Sequence, residues 1–257
     1  MSRRLLLVGI GVGDPNHVTV QAVTALNAFD VLFVVEKGEQ VDDLVAARRE
    51  VLRRHRTPQA GPYRTVALPD PPRPWRTAPD YASAVRRWRA ERRELWTRAL
   101  GEHLAEGETG AFLVWGDPSL YESTLAVVQE VLADDAPDVS LDVLPGISSV
   151  HALTARHRIP LNRVGRTVQV TPARQLAEHG VPAGVDDVVV MLDAHATFAS
   201  LPDPEAFDIY WGAYLGAPDE LLVAGPLDAV ADEIVRLRAR VRQEKGWMFD
   251  TYLLRRR

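Results

Sequence analysis

Apolar residues fall in short blocks along the chain, and longer amphipathic stretches separate them. Leu5–Val8 is apolar at every position. Such a run predicts a strand covered on both faces. The spacing of Val20, Val23 and Leu26 predicts a helix over Thr19–Ala28. Val31–Val35 is a second buried strand, Asp42–His55 a helix with a basic end, and YRTVAL a third short strand. Residues 69–80, PDPPRPWRTAPD, carry too many prolines for regular structure. A long helix follows to about Ala105, where Val85, Trp88, Leu95, Ala99 and His103 form an apolar stripe. The strand AFLVW, a helix from about Tyr121, the strand VSLDVL and a helix opened by PGISS complete this first set.

A second set begins after Pro160–Gly165. Its strands are TVQVT, DVVVML, FDIYW, ELLVAG and MFDTYLL, with a long helix over Asp228–Gln243. Strands alternating with helices imply an α/β protein with a mainly parallel sheet. The weakening of the pattern puts a domain boundary near residue 160. That gives an N-terminal α/β domain over 1–160 and a C-terminal α/β domain over 161–257.

Composition narrows the function. A net charge of -5 over 257 residues argues against general nucleic-acid affinity. The absence of cysteine removes disulfides, thiolate metal sites and a cysteine nucleophile, and it fits a cytoplasmic protein. The opening MSRRLLLVGIGVGD has basic residues before an apolar run, as a signal peptide does. That run is short and broken by Gly9, Gly11 and Gly13, so a strand entering a glycine loop is expected. No stretch reaches the roughly 18 apolar residues of a membrane span. The segment RRWRAERRELWTR mixes arginine with tryptophan, but Trp88 and Trp96 fall near the apolar stripe. A buried amphipathic helix is expected there rather than a nucleic-acid contact.

Ligands of open α/β sheets bind beyond the carboxyl ends of the strands. GIGVGDP, GDPSLY and PGISS all occupy that position. The first is not a dinucleotide fingerprint. Its glycines are spaced G-x-G-x-G, and Asp14 and Pro15 offer a pyrophosphate a repelling charge and no N–H. A structural turn remains open for it. In the second, Gly116 allows close backbone approach, and Asp117 either holds a small cation or caps the following helix. In the third, Ser148 and Ser149 either bind a ligand or cap a helix.

Together these segments resemble the tetrapyrrole methyltransferase family, which uses S-adenosylmethionine on cobalamin and sirohaem precursors. The resemblance rests on VGIGVGDPNHVTVQAV, WGDPSLY, LPGISSVHAL followed by IPL, VVVMLD and LLVAGPL, and it runs from Leu5 to about Leu254. One departure is that Val12 stands where the family's first loop usually has proline. Longer segments, including VVEKGEQVDDLVAARRE and IYWGAYLGAPDELLVAGPL, are similar to one branch of the family. Its reaction joins methylation of a corrin precursor to loss of an acetyl group.

The resemblance implies two α/β domains with the cofactor cleft between them, S-adenosylmethionine as cofactor with S-adenosylhomocysteine as product, no metal, a small tetrapyrrole substrate and a homodimer. It implies cofactor contacts at Val12, Gly116, Asp117, Leu120, Ser148, Ser149, Met191 and Gly216, with Gly212 the weaker glycine of its loop. Acetyl loss needs activated water, and the candidates are Asp14, His17, Glu36, Lys37, Tyr121 and His151. Lys37 can also stabilise a developing oxyanion. A polycarboxylate substrate calls for local basic charge. Arg156, Arg158, Arg163 and Arg166 supply it in one segment, and Arg73 and Arg76 in a proline-rich loop long enough to be a lid.

Overall fold

The computed structural model describes residues 2–36, 42–71, 80–133, 138–246 and 248–257. The expectations for Lys37, Arg73, Arg76 and the lid lie outside these residues. The chain folds as two compact units. One comprises the residues up to Gly11 together with Pro15–Ile147, and the other Val12–Asp14 together with Ser148–Arg257.

The first unit is built from β1 (Arg3–Gly9), α1 (Val20–Leu26), β2 (Val31–Glu36), α2 (Asp42–His55), β3 (Arg64–Pro69), α3 (Tyr81–His103), β4 (Thr109–Val114), α4 (Thr124–Ala133) and β5 (Val139–Leu144). Its strands form one sheet in the order β3-β2-β4-β1-β5, and every pairing is parallel. Side chains alternate across a strand, so the apolar β1 serves two cores. Leu5 and Leu7 pack with Phe33, Trp96, Leu100, Phe112 and Val127. Leu6 and Val8 pack on the other face with Leu26, Phe29, Leu52 and Leu113.

The arginine-rich helix α3 turns its tryptophans inward, as its stripe predicts: Trp88 is 6% exposed and Trp96 is fully buried. Between them lies Arg92, with its guanidinium 4.6 and 4.8 Å from the two ring centres and 3.1 Å from Asp70. A charge this deeply buried costs several kcal/mol unless it is paired, and Asp70 supplies the pair.

The second unit holds α5 (Ser149–His157), β6 (Val168–Pro172), α6 (Ala173–His179), β7 (Asp187–Met191), β8 (Phe207–Ala213), β9 (Leu221–Pro226), α7 (Leu227–Lys245) and β10 (Asp250–Arg256). Its sheet has the order β6-β7-β10-β8-β9. The mainly parallel sheet expected from the sequence is that of the first unit, and this second sheet is mostly antiparallel. Only β6 and β7 pair in parallel, while β10 runs antiparallel to both its neighbours and β8 to β9. Parallel neighbours need long crossovers. The short connection from β8 to β9, and the placing of α7 between β9 and the central strand, give antiparallel pairs instead. The division at Ile147 and Ser148 also puts α5 in the second unit, where it contacts β8, β9 and β10, although its sequence falls before residue 160.

Candidate functional site

In the first unit the ends of β1, β4 and β5 are drawn together by glycine. A Cβ on Gly146 would lie 2.1 Å from the Gly116 carbonyl oxygen, and one on Gly9 would lie 2.5 Å from the Gly146 nitrogen. Gly11 and Gly116 exchange backbone hydrogen bonds of 3.3 and 2.8 Å, with both residues at positive φ. Residues with side chains rarely take that conformation. Backbone, not side chain, therefore lines this edge.

Asp117 locks the crossing. Its Oδ2 accepts the Gly146 N–H at 2.9 Å, and its Oδ1 accepts the Ser119 N–H at 2.8 Å and the Ser119 hydroxyl. The carboxylate is half-buried and multiply bonded. It forms a turn and a cross-loop tie rather than a helix cap, because no helix starts at Ser119. The helix expected from Tyr121 begins at Thr124, whose N–H and hydroxyl both donate to Glu122. Leu120 closes the turn onto the Asp117 carbonyl at 3.2 Å. Tyr121 is held at φ 50° with 44% of its surface exposed. Left-handed backbone at a bulky residue stores strain and clusters at ligand sites. Desolvation raises the Tyr121 phenol above its ordinary range.

His17 ends a short 3₁₀ turn, Pro15–His17, and packs against Gly11, where a Cβ would meet its own Cβ at 2.7 Å. It does not cap α1. Thr19 does so, accepting the Ala22 N–H at 3.1 Å. The His17 Nδ1 is buried with no hydrogen-bond partner. Glu36 is exposed at the end of β2.

In the second unit five separate sequence segments meet. Gly13, at φ 142°, leaves no room for a side chain against the Leu215 carbonyl and the Ala217 nitrogen, each 3.0 Å from its Cβ position. Its neighbour Val12 is 4% exposed and Asp14 half-buried. Gly216, also at positive φ, donates its N–H to Glu220 at 2.8 Å, and Glu220 pairs with Arg156 at 2.5 Å. Ser148 caps α5 and bonds the His151 ring at 2.9 Å. His151 is exposed, not packed in a core. Ser149 accepts from the Thr251 hydroxyl at 3.3 Å, and Thr251 pairs across the sheet with Met191. Gly212 is closed off, since a Cβ there would strike Leu215 at 2.6 Å and Leu153 at 2.9 Å.

After Met191 the chain takes Leu192 at φ 57° with 63% exposure. A buried network braces this turn. Asp193 accepts from the N–H groups of His195 and Thr197 and from the Tyr252 hydroxyl at 2.8 Å. Arg238 donates to the Asp193 carbonyl at 2.6 Å and pairs with Asp250.

The arginines expected to receive a polycarboxylate are not a uniform set. Arg163 is committed to the fully buried Asp187 at 3.1 Å, which Arg255 shares at 3.0 Å. Arg156 has Glu220, and Arg166 has Asp186 at 3.4 Å. Arg158, in left-handed conformation at the end of α5, is exposed. Sequence reading passed over Gly146, Glu122, Thr251 and Glu220. Only Gly146 carried a local signal, as a glycine between proline and a capped helix start.

Residues 4–231 match the family of tetrapyrrole (corrin/porphyrin) methylases. The chain is 45% identical over 254 residues to a precorrin-6A synthase [deacetylating] of Sinorhizobium sp., covering 98% of this chain and 95% of that protein. Among solved structures, it is similar to a cobalamin synthesis related protein (CobF) of Corynebacterium diphtheriae. That match has a TM-score of 0.81 and 32% identity, over 100% of this chain and 99% of the other. It shares a fold with uroporphyrin-III C-methyl transferase of Thermus thermophilus, solved with S-adenosyl homocysteine, at a TM-score of 0.60 and 20% identity over 98% and 91% of the chains.

Proposed function

The chain belongs to the tetrapyrrole (corrin/porphyrin) methylases, and we propose that within them it acts as an S-adenosylmethionine-dependent precorrin-6A synthase (deacetylating). In this reading it converts precorrin-5 to precorrin-6A, methylating C-1 of the ring with hydrolytic loss of acetate. The full-length similarity to the Sinorhizobium protein of that name carries the reading.

The residues present suit such a cofactor. The glycine crossing at Gly9, Gly116 and Gly146 leaves backbone groups for a ligand to approach. Val12, Gly116, Asp117, Leu120, Ser148, Ser149, Met191 and Gly216 are the positions assigned to holding it. S-adenosylmethionine supplies a methyl group on a sulfonium, open to in-line displacement by a carbon nucleophile. The protein's task in that step is alignment, which can contribute about 7–11 kcal/mol.

Acetate loss asks more of the side chains. Water gives a proton to a base and adds to the acetyl carbonyl. The carbon–carbon bond then breaks, acetic acid leaves, and the electron pair stays on the macrocycle as the nucleophile. Asp14, His17 and Lys37 are the candidates to take the proton or steady the oxygen. Tyr121 is assigned to donate a hydrogen bond to the carbonyl oxygen. Arg156, Arg158 and Arg163 are assigned to the substrate's carboxylates, with Arg158 the most available of them. A cytoplasmic homodimer belongs to the same reading, and sedimentation analysis tests the dimer.

The deciding experiment is mass spectrometry of precorrin-5 incubated with the protein and methyl-labelled S-adenosylmethionine, with acetate assayed in parallel. Gain of the label with release of acetate is the expected result. Label without acetate keeps the family and reassigns the step. No label transferred refutes the reading.

A further inference from the structure

Helix α2 turns one face to the sheet through Leu44, Val51 and Leu52, all buried. Arg48 falls on that same face by helical spacing. It is a charged residue at a core-facing position, and the sheet beside it is open. β2 pairs with β4 only as far as Phe33 and Phe112, whereas β4 stays paired with β1 through Val114. The Leu113 carbonyl, left without a β2 partner, accepts from Arg48 Nε at 3.2 Å. One further hydrogen bond runs from Arg48 to the Leu44 carbonyl at 3.5 Å.

Two long bonds to backbone carbonyls leave most of a guanidinium's five donors unused. Arg48 is half-buried, and other buried or half-buried arginines differ. Arg92, Arg238 and Arg255 each have a carboxylate, in Asp70, Asp250 and Asp187. Arg56, without one, donates to four carbonyls and lies over two aromatic rings. Glu122 is near enough for its charge to act on Arg48, but its Oε2 is already bonded to Thr124. Desolvation lowers the pKa of Arg48, and Glu122 only partly opposes this. The position thus keeps an under-bonded cation where strands part at the carboxyl end of a parallel sheet, which is where ligands of such sheets bind.

We propose that Arg48 binds a carboxylate of a ligand at this gap, either a side-chain carboxylate of the tetrapyrrole or the carboxylate of the cofactor's methionine moiety. This rests on the reading of the strand ends as the ligand site. Bidentate bonding to a carboxylate would occupy the donors that the backbone leaves free.

Titration calorimetry separates the two sources. The probes are S-adenosylhomocysteine and the octacarboxylate uroporphyrin III, on wild type, Arg48→Met and Arg48→Lys, with Tm measured for each. Arg48→Met keeps the stem and removes the charge. The expected result is at least about a tenfold loss of affinity for one probe, with Arg48→Lys intermediate and the Tm of Arg48→Met unchanged or raised. Loss confined to the porphyrin assigns the substrate carboxylate, and loss confined to S-adenosylhomocysteine assigns the cofactor's. Unchanged affinity for both probes overturns the proposal whatever the Tm does. If Arg48→Met does not fold, unchanged affinities in Arg48→Lys overturn it. Wild type that binds both probes but leaves precorrin-5 unchanged refutes the enzymatic reading and still tests Arg48. Wild type that binds neither removes the site and the assignment with it.

Discussion

In the first unit the strand-end loops are held by backbone against backbone. Gly9 and Gly146 approach each other and the Gly116 carbonyl too closely for a side chain, Gly11 and Gly116 exchange backbone hydrogen bonds, and one carboxylate, Asp117, ties the crossing. In the second unit the turn after β7 is held by buried charge, with Asp193, Arg238, Asp250 and Tyr252 in one network. The two solutions fail differently. A backbone crossing tolerates no added atom. A buried charge network accepts small changes of volume but not the loss of one partner, because the survivor is left desolvated and alone.

Removing one charge should give the largest effect. Asp250→Ala strips Arg238, 3% exposed, of its carboxylate and the Trp211 Nε1–H of its acceptor. The expected loss is about 3–5 kcal/mol in denaturant unfolding. A loss below about 1 kcal/mol would mean that the network is not what braces the second unit. Adding one methyl to the crossing should come next. Gly146→Ala sets a Cβ against a carbonyl oxygen that no rotamer change can move, and we expect about 3 kcal/mol.

Surface charge in the first unit should matter much less. Arg64 and the Ala105 N–H hold Glu108 down at about 2 from its ordinary value of 4.5. A depressed carboxylate contributes stability above its unfolded pKa and loses it as pH falls through the folded one. The window is therefore from about 4.5 down to about 2. Glu108→Gln should flatten the fall in Tm across that window, by less than about 1 kcal/mol because Arg64 is exposed. The smallest effect has the opposite sign. Gly101 lies in α3 with open space at its Cβ position, so Gly101→Ala should stabilise by about 0.5 kcal/mol. If Gly101→Ala and Gly146→Ala behaved alike, close approach would not be what distinguishes Gly146.

Much of this was legible before any coordinates. Apolar blocks such as Leu5–Val8 and Val188–Val190 became buried strands, and α2 spans the residues its pattern predicted. Local chemistry sets those elements, so local sequence reports them. Strand direction in the second sheet was hidden, because pairing partners lie far apart along the chain and an apolar strand looks the same in either sense. The three loops at strand ends were visible from glycine, proline and serine. The partners that fix them were not. Nothing beside Asp117 in sequence points to the Gly146 N–H, nor beside Arg163 to Asp187. For the same reason the segment holding Arg156, Arg158 and Arg163 read as one basic patch. The carboxylates that divide it, Glu220 and Asp187, arrive only on folding.

The order of strands in the second sheet also bears on how the protein is made. β10 lies in the middle, hydrogen-bonded to β7 on one side and β8 on the other, yet it follows all the other strands of that sheet in sequence. As the chain emerges from the ribosome, β6 with β7 and β8 with β9 can form two separate ribbons, each showing a bare edge to its surroundings. The strand that joins them is synthesised after α7. For that interval the unit waits as two halves, exposed to aggregation and to any chaperone that shields strand edges. A single stop codon before Asp250 would leave the sheet without its centre.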